Sequence, residues 1–272
     1  MKFVYIFFIL ASLLFSEENK KTEEWLSGSD LEAYKTSYFC PLSYRDEGYD
    51  SYLKDTQFRH LEVEVQISLK YELLNNPFGF NGKFYAAYSQ HAFWQIYAHS
   101  KPFRENVYNP ELFARYDINF QEIPSLKSLQ IGYEHQSNGN PDTTDSTIDG
   151  VAIGNISRDI NTLYAHFGFV HERLHTDLQV WVPVFSLDDN PDIMDYIGYT
   201  GIKMKYFYSH EIFSLSARGN LATKKGSLEI SYAYPIGRSV NLYMKFFTGY
   251  TETLIDYKDY VNKFSLGFSF SN

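Results

Sequence analysis

The segment SLQIGYEHQSN at 128–138 holds a histidine and a serine two residues apart, His135 and Ser137. In an extended strand, residues i and i+2 share a face, so these two side chains lie close enough to hydrogen-bond. A serine hydroxyl beside an imidazole base can carry out nucleophilic acyl transfer, and a third group that orients the base completes the set. Asn161, in NTLYAHFGF at 161–169, supplies that group if the two strands pair across the loop between them. Its amide oxygen can accept the second imidazole N–H, which fixes the tautomer but stabilises imidazolium less than a carboxylate would. Backbone N–H groups in the turn at Gly139 offer an oxyanion hole. An isolated H-x-S is usually a short pattern recurring by chance in a polar band. Three polar residues of these types on one patch weaken that reading.

The elements that must position them follow from a period of two. In 61–71, Leu61, Val63, Val65, Ile67, Leu69 and Tyr71 alternate with Glu62, Glu64, Gln66, Ser68 and Lys70. The same alternation marks strands at 82–96, 111–121, 128–138, 159–171, 174–184, 195–207, 211–220, 226–234, 239–250 and 260–270. Connections after the first, third, fifth, seventh and ninth of these are mostly short, whereas those after the second, fourth, sixth and tenth are longer and polar. That asymmetry belongs to an outer-membrane barrel rather than to a soluble sandwich. Eleven strands cannot close such a barrel, which takes an even number, so a twelfth is expected at 36–45 (TSYFCPLSYR). The fold class expected is all-β: a 12-stranded antiparallel transmembrane β-barrel with both termini periplasmic. Its narrow lumen would be filled by Glu62, Glu64, Arg115, Asp117, Lys203 and Arg218.

Composition agrees. The chain has 24 Tyr, 23 Phe and three Trp among 272 residues, and aromatic rings gather where hydrocarbon meets headgroups. The net charge is −9 and no basic run is long enough to bind nucleic acid. Residues 1–16 read as a secretory signal peptide, 17–34 as a periplasmic N-terminal arm and 35–272 as the barrel. The single Cys40 has no partner for an internal disulfide and reads as a wall thiol without a role.

On this frame the face of the chemistry becomes legible. Leu129, Ile131 and Tyr133 mark an outward row that continues to His135 and Ser137. Leu163, Ala165, Phe167 and Phe169 mark the outward row that contains Asn161. All three polar residues therefore face lipid near one loop, a costly placement that is usually functional. Gln90 is a second anomaly, since the row Phe84, Ala86, Tyr88, Gln90, Ala92, Trp94 carries an amide into hydrocarbon. Across a twofold axis two such glutamines could bond each other in a homodimer.

YEHQSNG at 133–139 and SRDINTLY at 157–164 resemble the outer-membrane phospholipase A family, as do YSQHAFWQ at 88–95, PFRENVYNPELF at 102–113, DDNPDIMDYIGY at 188–199 and GYTETLIDY at 249–257. The resemblance runs from about residue 58 to the end. It implies a calcium-dependent enzyme hydrolysing acyl esters of phospholipids and lysophospholipids, active as a dimer. Ser137 would be the nucleophile, His135 the general base and acid, and Asn161 the orienting group. It also implies Ca²⁺ ligands at Asn140 and Ser157 of one subunit and at the partner subunit's Ser100, with Gln90 at the dimer contact. Two departures stand out: Asn140 takes the place of an arginine, and the loop 140–156 is long, with Asp142, Asp145 and Asp149 added. A backbone carbonyl ligand would survive the first. The aspartates read either as extra calcium ligands or as a solvated loop.

Two rival readings remain at this level. One is a non-catalytic barrel, whether a narrow channel or a structural or adhesive protein. The other is an outer-membrane protease with acidic catalytic residues in its loops.

Overall fold

A computed structural model describes residues 31–49, 56–77, 79, 82–140, 147–148, 151–152 and 155–270. The signal segment, nearly all of the N-terminal arm, and Asp142, Asp145 and Asp149 lie outside them. Twelve long strands are present among the described residues: β1 (Ser37–Arg45), β2 (Leu61–Asn75), β3 (Gly82–Trp94), β4 (Phe103–Asp117), β5 (Leu126–Ser137), β6 (Asp159–His171), β7 (Leu174–Pro183), β8 (Thr200–Tyr208), β9 (Glu211–Asn220), β10 (Lys225–Pro235), β11 (Val240–Gly249) and β12 (Val261–Phe270). Each pairs antiparallel with its sequence neighbours, and β12 pairs with β1, so the sheet closes on itself. The strand expected at 36–45 is β1. A two-plus-two hairpin (Thr147–Ile148 with Val151–Ala152) rises from the β5–β6 loop.

Two boundaries differ from expectation. The strand expected at 111–121 begins eight residues earlier, at Phe103, and ends at Asp117. Pro110 lies inside this strand although it has no N–H to give. It is accommodated where the β4–β5 ladder skips residues 109 and 110, and Asn109 Nδ2 donates instead to the carbonyl of His135 at 2.9 Å. The second difference is at 195–207, where the first residues form a helical turn, α1 (Met194–Ile197). Ile193, Met194, Tyr196 and Ile197 bury themselves against Ile160, Leu254 and Tyr257, forming an apolar cap at the long-loop end. M-D-Y-I fits either period over so short a run, and burial decides it.

The barrel inverts the arrangement of a water-soluble protein. Outside, Leu112, Ile131, Leu163, Leu178 and Val182 are exposed. Inside, Glu62, Glu64, Arg104 and Lys263 are fully buried. Arg104 grips Glu62 with Nε and Nη2 at 3.1 and 3.0 Å, and Lys263 Nζ reaches the same carboxylate at 2.7 Å. Glu64 takes Lys245, His91 Nε2 at 2.7 Å, Tyr38 Oη at 2.7 Å and Ser265 Oγ at 2.9 Å. Paired, hydrogen-bonded charges of this kind can be buried, and a cavity of about 170 Å³ lies around Lys35, Gln66, His91 and Arg218. Arg115 and Asp117, expected within the lumen, stand exposed at the short-turn rim.

Gly132 lets this packing come close to the site. A Cβ there would fall 2.6 Å from Phe113 Cβ and 2.7 Å from the Tyr164 ring.

Candidate active site

The β5–β6 ladder sets His135 directly opposite Asn161, and Ser137 opposite Asp159. His135 Nδ1 lies 2.8 Å from Asn161 Oδ1. That amide oxygen cannot donate, so Nδ1 carries the proton and Nε2 of a neutral ring is left with its lone pair. This is the tautomer a general base needs. Ser137 follows two residues on in the same outward row, at the end of β5. The three polar residues therefore occupy one outward patch at the long-loop end, as the alternation predicts.

Tyr133 belongs to the site as well. Its hydroxyl donates to Asn161 Oδ1 at 2.5 Å, so the amide oxygen takes two donors. The sequence rows assign Tyr133 to the lipid-facing wall, and its hydroxyl gives it a second part. Phe185, on the loop after β7, packs edge-on against Tyr133 with ring centroids 6.5 Å apart. It is 79 % exposed and has a φ of 66°, a strained conformation for a side chain of this size. Nothing in the sequence pattern singles it out. Asp159 accepts from Asn161 Nδ2 at 3.0 Å, and it sits in the same row by the same two-residue rule.

The loop that follows Ser137 is shaped by Gly139 and Asn138. Gly139 has a φ of +67°, and a Cβ there would press within 2.9 Å of the Tyr108 ring, so glycine is required on both counts. Asn138 is buried, and its Oδ1 accepts the N–H of Asn140 at 3.2 Å and of Arg158 at 3.1 Å. One amide thus ties together the two ends of a loop nearly twenty residues long. It brings Asn140, and Ser157 beside Arg158, to the same clasp; these are the two residues expected as calcium ligands from the sequence resemblance.

The donors present there are neutral oxygens, which suit a hard cation such as calcium. Arg158 already donates to the Ser157 carbonyl at 2.5 Å, which leaves the Ser157 hydroxyl and the Asn140 carbonyl as the candidates. Among the described residues, no group of three or more His, Cys, Asp or Glu side chains converges on a metal site. Ser100 lies on the β3–β4 loop, exposed and with a φ of 61°. Gln90 faces outward as read: Tyr88 Oη donates to its Oε1 at 3.2 Å, and its Nε2 donates to Asn106 at 3.3 Å.

Known proteins resemble the chain throughout. The family described as Phospholipase A1 matches residues 14–270. Phospholipase A1 of Escherichia coli K12 is 32 % identical over 92 % of this chain and 81 % of its own length. Outer membrane phospholipase A of E. coli, solved as an active-site mutant with an asparagine changed to alanine, matches with a TM-score of 0.77 and 28 % identity over 97 % of each chain. An outer membrane phospholipase dimer of Salmonella typhi with bound calcium matches with a TM-score of 0.78 and 29 % identity, covering 89 % of this chain and 92 % of that one.

Proposed function

This chain belongs to the phospholipase A1 family and is a phospholipase of the bacterial outer membrane, and from that premise we propose that Ser137, His135 and Asn161 cleave acyl esters of phospholipids and lysophospholipids in a calcium-dependent dimer. The observation that carries the assignment is the 2.8 Å contact of His135 Nδ1 with Asn161 Oδ1, on the lipid side of the wall. Family membership removes the readings of an inert barrel and of a protease.

Ser137 Oγ attacks the ester carbonyl carbon while His135 Nε2 takes its proton. The negative charge that builds on the carbonyl oxygen meets the backbone N–H groups of the Gly139 turn. His135 then returns the proton to the departing glycerol oxygen, leaving the acyl group on Ser137. Water, deprotonated by His135, attacks that acyl group, and the fatty acid leaves as Ser137 regains its proton. Through both halves Asn161 holds the imidazole in one orientation.

The Asn140 carbonyl and the Ser157 hydroxyl, with the partner subunit's Ser100, would hold calcium. Bound there, calcium adds positive charge beside the ester carbonyl. Neutral ligands split between two chains explain why both the metal and the dimer would be needed. Gln90, an amide among lipid-facing aromatics, would meet its counterpart at the dimer contact. Residues 1–16 serve export in this reading, and residues 17–34 form a periplasmic arm.

Release of fatty acid from mixed micelles by the refolded protein, with calcium and with excess chelator, tests the whole proposal. Release that requires calcium and is lost in Ser137→Ala supports it. Undiminished release by Ser137→Ala would sink the site assignment.

A further inference from the structure

Asn161 is a neutral orienting group, and a primary amide has two ends of nearly the same shape. Rotated by half a turn, it would offer N–H to a histidine nitrogen that needs an acceptor. Two neighbours oppose that rotation. The Tyr133 hydroxyl donates to Asn161 Oδ1 at 2.5 Å, and Asp159 Oδ2 accepts from Asn161 Nδ2 at 3.0 Å. A carboxylate is acceptor-only, so it discriminates between the two ends absolutely. The backbone around it is fixed. The N–H of Asp159 donates to Oδ1 of the fully buried Asn190 at 3.1 Å, and the carbonyl of Asn161 accepts from the N–H of Val184 at 2.8 Å.

We propose that Asp159 is a positioning residue of the hydrolysis, acting through Asn161 to lock the amide that orients His135. The chain of contacts runs from the Asp159 carboxylate to Asn161 and then to His135. Hydrogen bonds in such a chain polarise one another, so the carboxylate makes Asn161 Oδ1 a better acceptor for the positive ring that forms during proton transfer. An aspartate set behind the amide thus returns part of the electrostatic support that an asparagine by itself lacks. Asp159 stands opposite Ser137 in the ladder, but the side-chain contact that carries the proposed role is the one to Asn161 Nδ2.

This inference rests on the assignment of Ser137, His135 and Asn161 as the catalytic set, and the test separates the two. Full-length refolded protein is assayed for fatty acid release at saturating calcium as wild type, Ser137→Ala, Asp159→Asn, Asp159→Ala, Asn161→Ala and the double variant Asp159→Ala/Asn161→Ala. Near-UV circular dichroism confirms folding, and Asp159→Asn keeps the side-chain size where Asp159→Ala disturbs the strand. Asp159→Ala is expected to lower kcat about 10- to 100-fold with KM nearly unchanged, the range typical of residues that orient a reacting group. Asp159→Asn, which keeps an acceptor oxygen but loses the charge, should fall between that and wild type.

The deciding result is the double variant. If Asp159 acts through Asn161, removing it costs almost nothing more once Asn161 is alanine. An equal loss on both backgrounds overturns the proposal, as does wild-type kcat in both Asp159 variants. A shift only in the calcium needed for half-maximal activity also overturns it, because Asp159 would then serve the metal. Full activity in Ser137→Ala would instead indict the catalytic set itself.

Discussion

His135 and Asn161 are directly opposite one another in the β5–β6 ladder, with Nδ1 of the first 2.8 Å from Oδ1 of the second. Neighbouring strands of a sheet hold their residues to a fixed separation, so this pair is placed by the barrel and not by loops. The order of mutational damage should follow. Ser137→Ala is expected to lose about a thousandfold or more in kcat, Asn161→Ala a smaller factor, and Tyr133→Phe only about 2- to 5-fold, since it removes one of two donors to the same oxygen. Initial-rate kinetics on micellar substrate would check the ranking.

Phe185 stands beside Tyr133 on the lipid side, almost fully exposed and in a strained backbone conformation. So exposed a ring adds little to the fold and is expected to meet acyl chains. Phe185→Ala should raise the apparent KM for long-chain phospholipid several-fold, leave kcat on a short-chain soluble ester unchanged, and leave thermal stability within about 0.5 kcal/mol.

The Asn138 clasp links both proposed calcium ligands of one subunit. Asn138→Ala removes the shared acceptor of the Asn140 and Arg158 amides. The calcium concentration for half-maximal activity should rise about 10-fold, while activity at saturating metal recovers most of its wild-type value. A calcium titration of fatty acid release measures both quantities.

Gln90 is held on the outer wall by Tyr88 and Asn106. Replacement by leucine keeps the wall apolar and removes the amide. Analytical ultracentrifugation in detergent should show a dimer weakened by about 1 kcal/mol, roughly 5-fold in its dissociation constant. Activity at low enzyme concentration should fall in parallel.

Gly132 is a packing requirement of the lumen. Gly132→Ala places a methyl group against Phe113 and Tyr164 and should cost about 1–3 kcal/mol in urea unfolding from lipid vesicles, with reduced activity because the strain lies in the strand that carries His135.

The period-two rule made much of this readable in advance. It gave eleven of the twelve strands, the closure rule adding the twelfth, and it gave the outward rows and the meeting of His135 with Asn161, because a closed sheet leaves a side chain only two directions. It failed where the period is ambiguous or interrupted. The first three residues of α1, Met194, Asp195 and Tyr196, alternate as a strand would, and only the burial of Ile193, Met194 and Ile197 against Leu254 and Tyr257 settles their form. The start of β4 at Phe103 lies eight residues before the expected one, and the Asn109 bond to His135 that accompanies Pro110 depends on register. Asp159 was within reach of the same rule, two residues before Asn161, but a carboxylate beside an amide carries no motif. Phe185 and the Asn138 clasp arise from loop conformation, which alternation does not describe.

The lumenal ion network links parts of the chain that are made far apart in time. Glu62 and Glu64 of β2 find their cations on β4, β11 and β12: Arg104, Lys245 and Lys263. Until the last strand arrives, these carboxylates lack Lys263, one of their three cations and the one that reaches both, and a buried charge left without its partner is costly. A barrel short of its closing strand therefore lacks both its last seam of backbone hydrogen bonds and a cation at the centre of its lumen. The charges of the lumen thus match up in full only when the wall has closed, which ties the interior of the barrel to the completeness of the sheet that carries the lipid-facing site.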